Sequence, residues 1–489
     1  MKTFLSIDIG TSSTKLSLYA AGGQLLTAGS TAYSVEFPRP GWAEQDPQEW
    51  WRAVCRLGPE IMAEAGNSEL AAICVSGQAP LCTPLGMDGM PLRKAILWLD
   101  RRATPQVDWL AQNLGEERAQ RVSANRLDSY FGGVKWLWFR QEEPDLYART
   151  WKILQANGYV AWKLTGQAVI DPSQAGLCSP CYDFAAGTWQ AEICAQMGLD
   201  LDKLPEICPS QAVIGRVLLD AARASGLPVG TPVVCGGGDF ALACLGAGVT
   251  GPGTAALMLG TAGNLLFPGV FNPDPRLLHT RHVTGQPLTF GGVLAGGNLN
   301  WFAGLFDEPA VAFYTQQDEA AAQLPPGSDG LIYLPYLMGE RTPIWDPEAR
   351  GAFVGLSSRH TRTHLYRAVL EGVAFAFRQM LEITGTTGLK AIVAIDGGAR
   401  SAVWRSIFAS VLGIPVQRGS LRAGTALGAA FLAALGVGEA GAFEDIENWG
   451  ETSQPVLPDP EASRRYDRLY AVYAGLYPKL KSDFAQLKD

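Results

Sequence analysis

The sequence predicts an α/β protein of two lobes, on three observations. Its 489 residues exceed what one hydrophobic core usually sustains, and 47% of them are apolar, enough material for two cores. A strand running into a glycine and hydroxyl turn occurs twice, at 4–13 and at 254–263. Around these turns, short apolar strands alternate with amphipathic segments, the pattern of mixed sheets flanked by helices.

The chain opens on the apolar strand Phe4-Leu5-Ser6-Ile7, which ends in Asp8-Ile9-Gly10-Thr11-Ser12-Ser13 and Lys15. The apolar pattern resumes at Leu16-Ser17-Leu18-Tyr19, so the turn joins two strands of a hairpin. A Walker-type loop would open a helix instead. A carboxylate at a strand end, with Gly and hydroxyl residues beside it, suits Mg²⁺ and a polyphosphate. Asp8 can hold the ion directly or through water. Gly10 lets the backbone approach phosphate oxygens, and Thr11, Ser12 and Ser13 offer donors. Residues of these types also build plain hairpin turns, so the turn alone does not decide.

Strands are expected near 3–9, 15–20 and 24–34, followed by the loop Phe37-Pro38-Arg39-Pro40-Gly41-Trp42. A helix then starts at Asp46 as N-cap, with Pro47 in the first turn, Glu49 three positions on, and Trp50, Val54, Leu57 and Ile61 along one face. A strand at 71–75 ends in Ser76-Gly77-Gln78, and one at 95–98 ends near Asp100-Arg101-Arg102. Both ends are candidate pocket edges, because ligands of α/β folds gather there. Segments 104–122, 133–143, 145–150 and 152–164 read as helices, the last closed by Gly166.

Strand 232–235 opens into Gly236-Gly237-Gly238-Asp239. Three consecutive glycines cost conformational entropy, so the backbone is expected to approach something closely there while delivering a carboxylate. The division between lobes is expected within 246–253, giving an N-terminal lobe at 1–248 and a C-terminal lobe at 249–489. The second half repeats the opening: strand 254–259 runs into Gly260-Thr261-Ala262-Gly263. Later, Ile392-Val393-Ala394-Ile395 runs into Asp396-Gly397-Gly398-Ala399, then an amphipathic helix at 401–412 and a strand at 414–416.

A net charge of −8 and a pI of about 5.3 lack the electrostatic footprint of a nucleic-acid binder. Residues 240–273 carry no charge, but seven glycines and three prolines interrupt them, so a buried β-region is expected rather than a membrane span. Met1-Lys2-Thr3 passes straight into a strand, and no secretion signal is expected. Nine scattered cysteines suit reduced thiols of the cytosol. Cys178 and Cys181 form a Cys-x-x-Cys pair without a second pair or a suitably spaced His, a poor zinc or redox site. His279 and His282 read as loop histidines.

At this point the chain resembles the FGGY family of carbohydrate kinases, of the actin-like ATPase (ribonuclease H-like) superfamily. Residues 8–14 are similar to its first phosphate motif, Gly260-Thr261 to its second, and Asp396-Gly397-Gly398-Ala399 to its adenosine motif. Tyr130-Phe131-Gly132-Gly133-Val134-Lys135-Trp136-Leu137-Trp138 resembles its first signature, with Gly132 where Pro, Ser or Thr is usual. Gly351-Ala352-Phe353-Val354-Gly355-Leu356, continuing at His364-Leu365-Tyr366-Arg367-Ala368-Val369-Leu370-Glu371, fits its second signature throughout. The resemblance spans residues 1 to about 435 in order. Within the family, Tyr336-Leu337-Met338-Gly339-Glu340-Arg341-Thr342-Pro343 looks most like xylulose kinases.

The resemblance implies a nucleotide held in an interlobe cleft and transfer of phosphate from ATP to a sugar hydroxyl, with D-xylulose favoured over another ketose, a polyol, a sugar acid or a signalling sugar. It implies Asp239 as catalytic base, Asp8 with Asp239 at Mg²⁺, and Thr11, Ser12, Ser13, Gly260 and Thr261 at the phosphates. Gly296, Asn300, Gly397, Gly398 and Ala402 would line the nucleotide. Ala79, Pro80, Trp98, Tyr130 and Phe240 would line the sugar beside Asp239. Trp98 and Tyr130 serve equally as core aromatics, and Glu340-Arg341 as a structural ion pair. Xylulose kinases commonly carry Met-His at the Ala79-Pro80 position and a side-chain amide at Phe240, so two polar handles on the sugar are absent. The expected partner is a small-molecule sugar in the cytoplasm, with neither nucleic acid nor membrane, and a homodimer is the assembly the resemblance allows. A nucleotide-binding sugar sensor without catalysis is the other class, and retention of Asp8, Asp239 and both Gly-Thr turns weighs against it.

Overall fold

A computed structural model of the chain describes residues 1–306, 310–420, 424–450 and 452–487. The chain forms two compact units. The first holds Met1–Thr250, His279–Pro287 and Arg422–Glu451, and the second holds Gly251–Leu278, Leu288–Leu421 and Thr452–Asp489. After leaving its first unit, the chain thus returns to it twice.

In the first unit, strands β1 (Lys2–Ile9), β2 (Ser13–Ala20) and β3 (Leu25–Ala32) form the expected antiparallel meander. On the other side of β1 lies β4 (Glu69–Gly77), parallel to it. The sheet is completed by β5 (Val213–Arg216) and β6 (Pro232–Gly238), in the order β5-β6-β4-β1-β2-β3. Both faces of β1 are covered, which is why its sequence reads as a nearly continuous apolar run.

Helix Pro47–Ala65 covers the face carrying Leu5, Ile7 and Ile9. Asp46 caps it, its Oδ1 accepting from Gln48 N at 2.9 Å, and Trp50, Val54, Leu57 and Ile61 are buried as their spacing predicts. Each such side chain contributes about 1.5–3 kcal/mol. On the opposite face Phe4 meets Trp449 at 5.8 Å, and Trp449 meets Phe431 of helix Thr425–Gly436 at 5.3 Å. That helix is buried from Leu427 to Ala434 and touches β1, β4 and helix Asp239–Gly246. Its composition, almost wholly Ala, Leu and Gly, is that of a helix with no solvent face.

The second unit repeats the plan. Strands β7 (Thr254–Leu259), β8 (Ala262–Pro268), β9 (Pro287–Leu294), β10 (Ala391–Ile395) and β11 (Val416–Arg418) run in the order β9-β8-β7-β10-β11. As with β3-β2-β1-β4-β6, an antiparallel meander continues into parallel strands. Helix Arg362–Thr384 buries Arg367 and Glu371, paired at 2.8 Å. Glu371 also accepts from Gly327 N, Ser328 Oγ and Tyr466 OH at 2.8–2.9 Å. The charged positions of the second signature therefore hold three segments together, a fully partnered cluster of the kind a buried ion pair requires.

Some expectations change. Segment 104–122 breaks at Gly115, whose φ of 85° no helix continues through, into Thr104–Asn113 and Glu116–Ser123. Segment 152–164 begins as a strand, Lys152–Leu154, antiparallel to Thr83–Leu85, and its helix spans Ala156–Thr165. Residues 240–273 start as a helix before β7 and β8. His279 lies in strand Leu278–Arg281, whereas His282 opens the turn after it as expected, and both are fully buried. Burial pushes the His282 imidazole down to about 3, so it is neutral, with Nδ1 3.0 Å from Thr284 Oγ1. Among the described residues no helix is long and apolar enough to cross a membrane.

Candidate functional site

The turn between β1 and β2 is held from several sides. Gly10 N donates to Ser13 O at 3.0 Å, and Tyr33 OH donates to Gly10 O at 2.8 Å. Gln45 Nε2 donates to Thr11 O at 2.5 Å. Thr11 Oγ1 donates to Gln78 Oε1 at 3.0 Å and accepts from Trp98 Nε1 at 3.1 Å. Thr11 and Ser13 are half-buried, and Ser12 is exposed at the tip. Sequence reasoning missed Gln45 and Tyr33, which carry no motif. Gln78 was legible only as the residue after a strand end.

The strand register sets the carboxylates. Asp8 stands opposite Ser76, and Gly77 opposite Gly238, so Asp8 and Asp239 leave the same edge of β1 and β6 with β4 between them. Two strand spacings put their backbones about 10 Å apart. Ser76 Oγ donates to Asp8 Oδ1 at 2.8 Å. Burial raises the Asp8 carboxyl above the ordinary range, opposed by the Ser76 hydrogen bond and the charge of Lys15. Among the described residues no group of three or more His, Cys, Asp or Glu is placed to hold a metal ion. One strand-end carboxylate with hydroxyls around it fits Mg²⁺, which keeps waters and substrate phosphates as ligands, and does not fit a metal caged by protein.

The three glycines before Asp239 do permit the close backbone approaches expected of them. Gly236 has φ +81°, and a Cβ there would lie 1.9 Å from Val75 O. A Cβ on Gly237 would lie 2.9 Å from Val283, and one on Gly238 2.6 Å from the ring of Phe240. The close approaches are thus to β4, to segment 279–287 and to the neighbouring phenyl ring, all within the protein. Asp239 opens its helix, half-buried, with Oδ1 accepting from Phe240 N at 2.7 Å and its carbonyl accepting from Thr425 Oγ1 at 3.1 Å. Gly238 N donates to Ser173 Oγ at 2.9 Å, and Ser173 Oγ in turn donates to Asp171. Asp171 is fully buried, and burial pushes its carboxyl up to about 6.

Ala79 and Pro80 lie in the loop just past β4 and are buried. Pro80 lies under Gly132, where a Cβ would come 3.4 Å from it. A Cβ on Gly133 would meet Cys178 O at 2.6 Å and Cys181 Sγ at 2.9 Å, so the Cys-x-x-Cys segment is the bed for this helix start. All nine cysteines are free thiols. Tyr130, also buried, precedes that helix; its N–H donates to Asp128 Oδ1 at 2.8 Å, and Asp128 pairs with Arg101 at 2.5 Å. Lys135 donates to the Ser129 carbonyl at 2.6 Å and to that of Tyr130, and burial pushes its ammonium down to about 7. Trp98 is half-buried and Phe240 buried.

In the second unit Gly260 and Thr261 follow β7. Gly296 N donates to Gly260 O and Gly297 N to Thr261 O, each at 2.9 Å, which seats the start of helix Gly296–Ala303 on that turn. A Cβ on Gly296 would lie 2.6 Å from Gly260 O. Asn300, exposed, accepts from Tyr314 OH at 2.6 Å. Asp396, with φ 71°, ends β10 beside β7, and a Cβ on Gly260 would lie 3.6 Å from its Oδ2. Gly397 is exposed with open space at its Cβ position, Gly398 packs on Trp404 and Leu259, and Ala402 is exposed in the first turn of helix Ala402–Leu412. Burial pushes Glu340 up to about 8, with the Arg341 N–H donating to its Oε1 at 2.9 Å. Asp8, Thr11, Ser12, Ser13, Ala79, Pro80, Trp98, Tyr130, Asp239 and Phe240 thus belong to the first unit, and Gly260, Thr261, Gly296, Asn300, Gly397, Gly398 and Ala402 to the second.

Comparison with known proteins adds names to this arrangement. The family model described as "FGGY family of carbohydrate kinases, N-terminal domain" matches residues 3–246, and its C-terminal counterpart matches residues 253–437. A xylulose kinase of Bacillus subtilis (strain 168) is 30% identical over 100% of this chain and 99% of its own. A gluconokinase of Bacillus licheniformis is 27% identical over 99% of this chain and 97% of its own. The crystal structure of a xylulose kinase from Rhodospirillum rubrum superposes with a TM-score of 0.91 at 34% identity, covering 99% of this chain and 100% of that one.

Proposed function

The chain belongs to the FGGY family of carbohydrate kinases, and we propose that it transfers the γ-phosphate of ATP to a hydroxyl of D-xylulose, giving D-xylulose 5-phosphate. The observation that carries this reading is the common strand edge from which Asp8 and Asp239 emerge, with the Gly10–Ser13 turn beside them. Phosphoryl transfer asks a protein for in-line positioning and stabilisation of charge more than for covalent chemistry.

Asp239 accepts the proton of the attacking hydroxyl. Its place at the first residue of a helix, fixed by hydrogen bonds before and after it, holds the carboxylate in one direction. Asp8 would hold Mg²⁺, with Ser76 orienting one carboxylate oxygen. When bound, the ion neutralises phosphate charge. Ser12 and Ser13 act as phosphate contacts, and the Gly260–Thr261 turn is read as a second phosphate turn. Gly296, Asn300, Gly397, Gly398 and Ala402 line the nucleotide. Ala79, Pro80, Trp98, Tyr130 and Phe240 wall the sugar and exclude water, the competing acceptor. Nine free thiols suit work in a reducing compartment such as the cytoplasm.

A second reading of the substrate rests on Phe240 and Pro80, which give the sugar neither a side-chain donor nor an acceptor. Another ketose, a polyol or a sugar acid then takes the place of D-xylulose, and the gluconokinase relative is of this kind. ADP release measured over a panel of D-xylulose, other ketoses, polyols and gluconate separates these readings. On the best substrate, Asp239→Asn should lower turnover roughly 10²–10⁴-fold while both ligands still bind. Near-normal turnover in that variant removes Asp239 as the base. Sugar-independent binding of ATP with no ADP release from any substrate would favour a non-catalytic sensor.

A further inference from the structure

The hydrogen bonds around Thr11 admit only one arrangement of donors. Trp50 Nε1, which can only donate, reaches Gln45 Oε1 at 3.1 Å. That fixes the Gln45 amide, whose Nε2 serves the carbonyls of Thr11 and Ser34 at 2.5 and 3.4 Å. Gln78 Nε2 must then be the group that meets Gln45 Oε1 at 2.9 Å, and it also reaches Gly10 O at 3.3 Å. Gln78 Oε1 is left facing Thr11 Oγ1 at 3.0 Å, so the single hydroxyl proton of Thr11 is committed to it. From the other side Trp98 Nε1, again a donor only, gives its proton to Thr11 Oγ1 at 3.1 Å. Two indoles bracket the relay, and neither end can reverse.

We infer that Thr11, although it sits in the phosphate turn, positions Trp98 for sugar recognition instead of donating its hydroxyl to a phosphate. This rests on the reading of Trp98 as part of the sugar wall. Gln45 and Gln78 are the groups that commit the Thr11 proton, which leaves the exposed Ser12 and the half-buried Ser13 as the hydroxyls of the turn for phosphate. The phosphate turn and the sugar wall are thereby one hydrogen-bonded unit, and a change in the turn is felt at the sugar.

Thr11→Val keeps the β-branched shape and removes the hydroxyl, Thr11→Ser keeps the hydroxyl, and Trp98→Phe removes the indole N–H. Losing a neutral hydrogen bond should raise the KM of the best sugar in Thr11→Val by about 3- to 10-fold, with the KM of ATP changed less than about twofold. Thr11→Ser should restore the sugar KM, and Thr11→Val with Trp98→Phe should be no worse than the weaker single variant. A rise confined to the KM of ATP, or full additivity in the pair, overturns the inference. A second readout does not need turnover. In ¹⁵N-labelled protein the indole peak missing from Trp98→Phe identifies Trp98 among the 14 tryptophans. That peak should move more than any other indole peak in Thr11→Val and hold its place in Thr11→Ser. An unmoved peak overturns the inference even in an active kinase, whereas a wild type without sugar-dependent ADP release overturns only the kinase reading.

Discussion

Asp171 lies two hydrogen bonds behind the residue that precedes the proposed base, and it titrates in an accessible range. Its Oδ1 accepts from Ser173 N at 2.8 Å and Gln174 N at 3.2 Å, while its buried Oδ2 has no hydrogen-bond partner among the described residues. Burial raises the carboxyl from 3.8 to about 6, so the folded chain holds this proton more tightly than the unfolded one. The resulting stability is fully present below the unfolded value and is lost as pH rises through about 6. Asp171→Asn keeps the Oδ1 acceptor and removes the ionisation. The stability of the wild type relative to this variant should therefore fall by up to about 3 kcal/mol between pH 4 and pH 7, read from urea unfolding at each pH. Parallel pH curves would show that the carboxyl is not perturbed. Asp8→Asn acts on a different quantity: the Mg²⁺ concentration for half-maximal rate should rise, with excess metal restoring part of the activity, and an unchanged Mg²⁺ response would sink the metal assignment. Asp8, Thr11 and Asp239 stood out in the sequence because each lies at a strand end or in the turn just past one, among glycines or hydroxyls. Gln45 and Ser173 did not, because the partners that matter, Thr11 and Gly238, lie 34 and 65 positions away and no local pattern records such a pairing; Asp171 bonds to Ser173 and Gln174 beside it and reaches Gly238 through Ser173.

Helices were legible where one face alone is buried, as at Pro47–Ala65, whose cap, proline and apolar spacing all agree. They were misread where a single glycine breaks the chain at 115, or where a three-residue strand precedes a helix at 152–154 and pairs with residues far away. The contact between helices Asp239–Gly246 and Thr425–Gly436 shows what an element can transmit. A Cβ on Gly428 would lie 2.0 Å from Leu242 O and 2.9 Å from Gly246 N, against backbone that has nowhere to move without its helix. Gly428→Ala should cost about 1–3 kcal/mol of overpacking. It should also shift the helix that begins at Asp239, so turnover falls at temperatures well below unfolding. Gly475→Ala is the control: it lies inside helix Pro460–Gln486, where an added Cβ comes no closer than 3.9 Å to Lys479 Nζ. There alanine should stabilise by about 0.5–1 kcal/mol. Equal thermal midpoints for the two variants, from calorimetry, would contradict this account of the helix contact.

At the scale of the whole molecule, the sequence showed two halves of one plan, and the two sheets have that common order. What it could not show is destination. The helix over Leu427–Ala434 is buried all round, and nothing local in its sequence says that it returns to the first unit after the chain has built the second. That return makes the first unit dependent on the far end of the chain. Leu427, Phe431 and Leu432 alone contribute about 5–9 kcal/mol by burial, a large share of the roughly 5–15 kcal/mol by which a domain is usually stable. Residues 1–250 expressed alone should therefore bind a hydrophobic dye and unfold without a sharp transition, because one face of β1 and β4 is left bare. Joining 424–450 to that fragment through a flexible linker should restore a cooperative urea transition and suppress dye binding. If 1–250 unfolds just as cooperatively, and at the same midpoint, without the added segment, then the helix is a passenger on the first sheet, and the packing of Phe4, Trp449 and Phe431 contributes little to holding it.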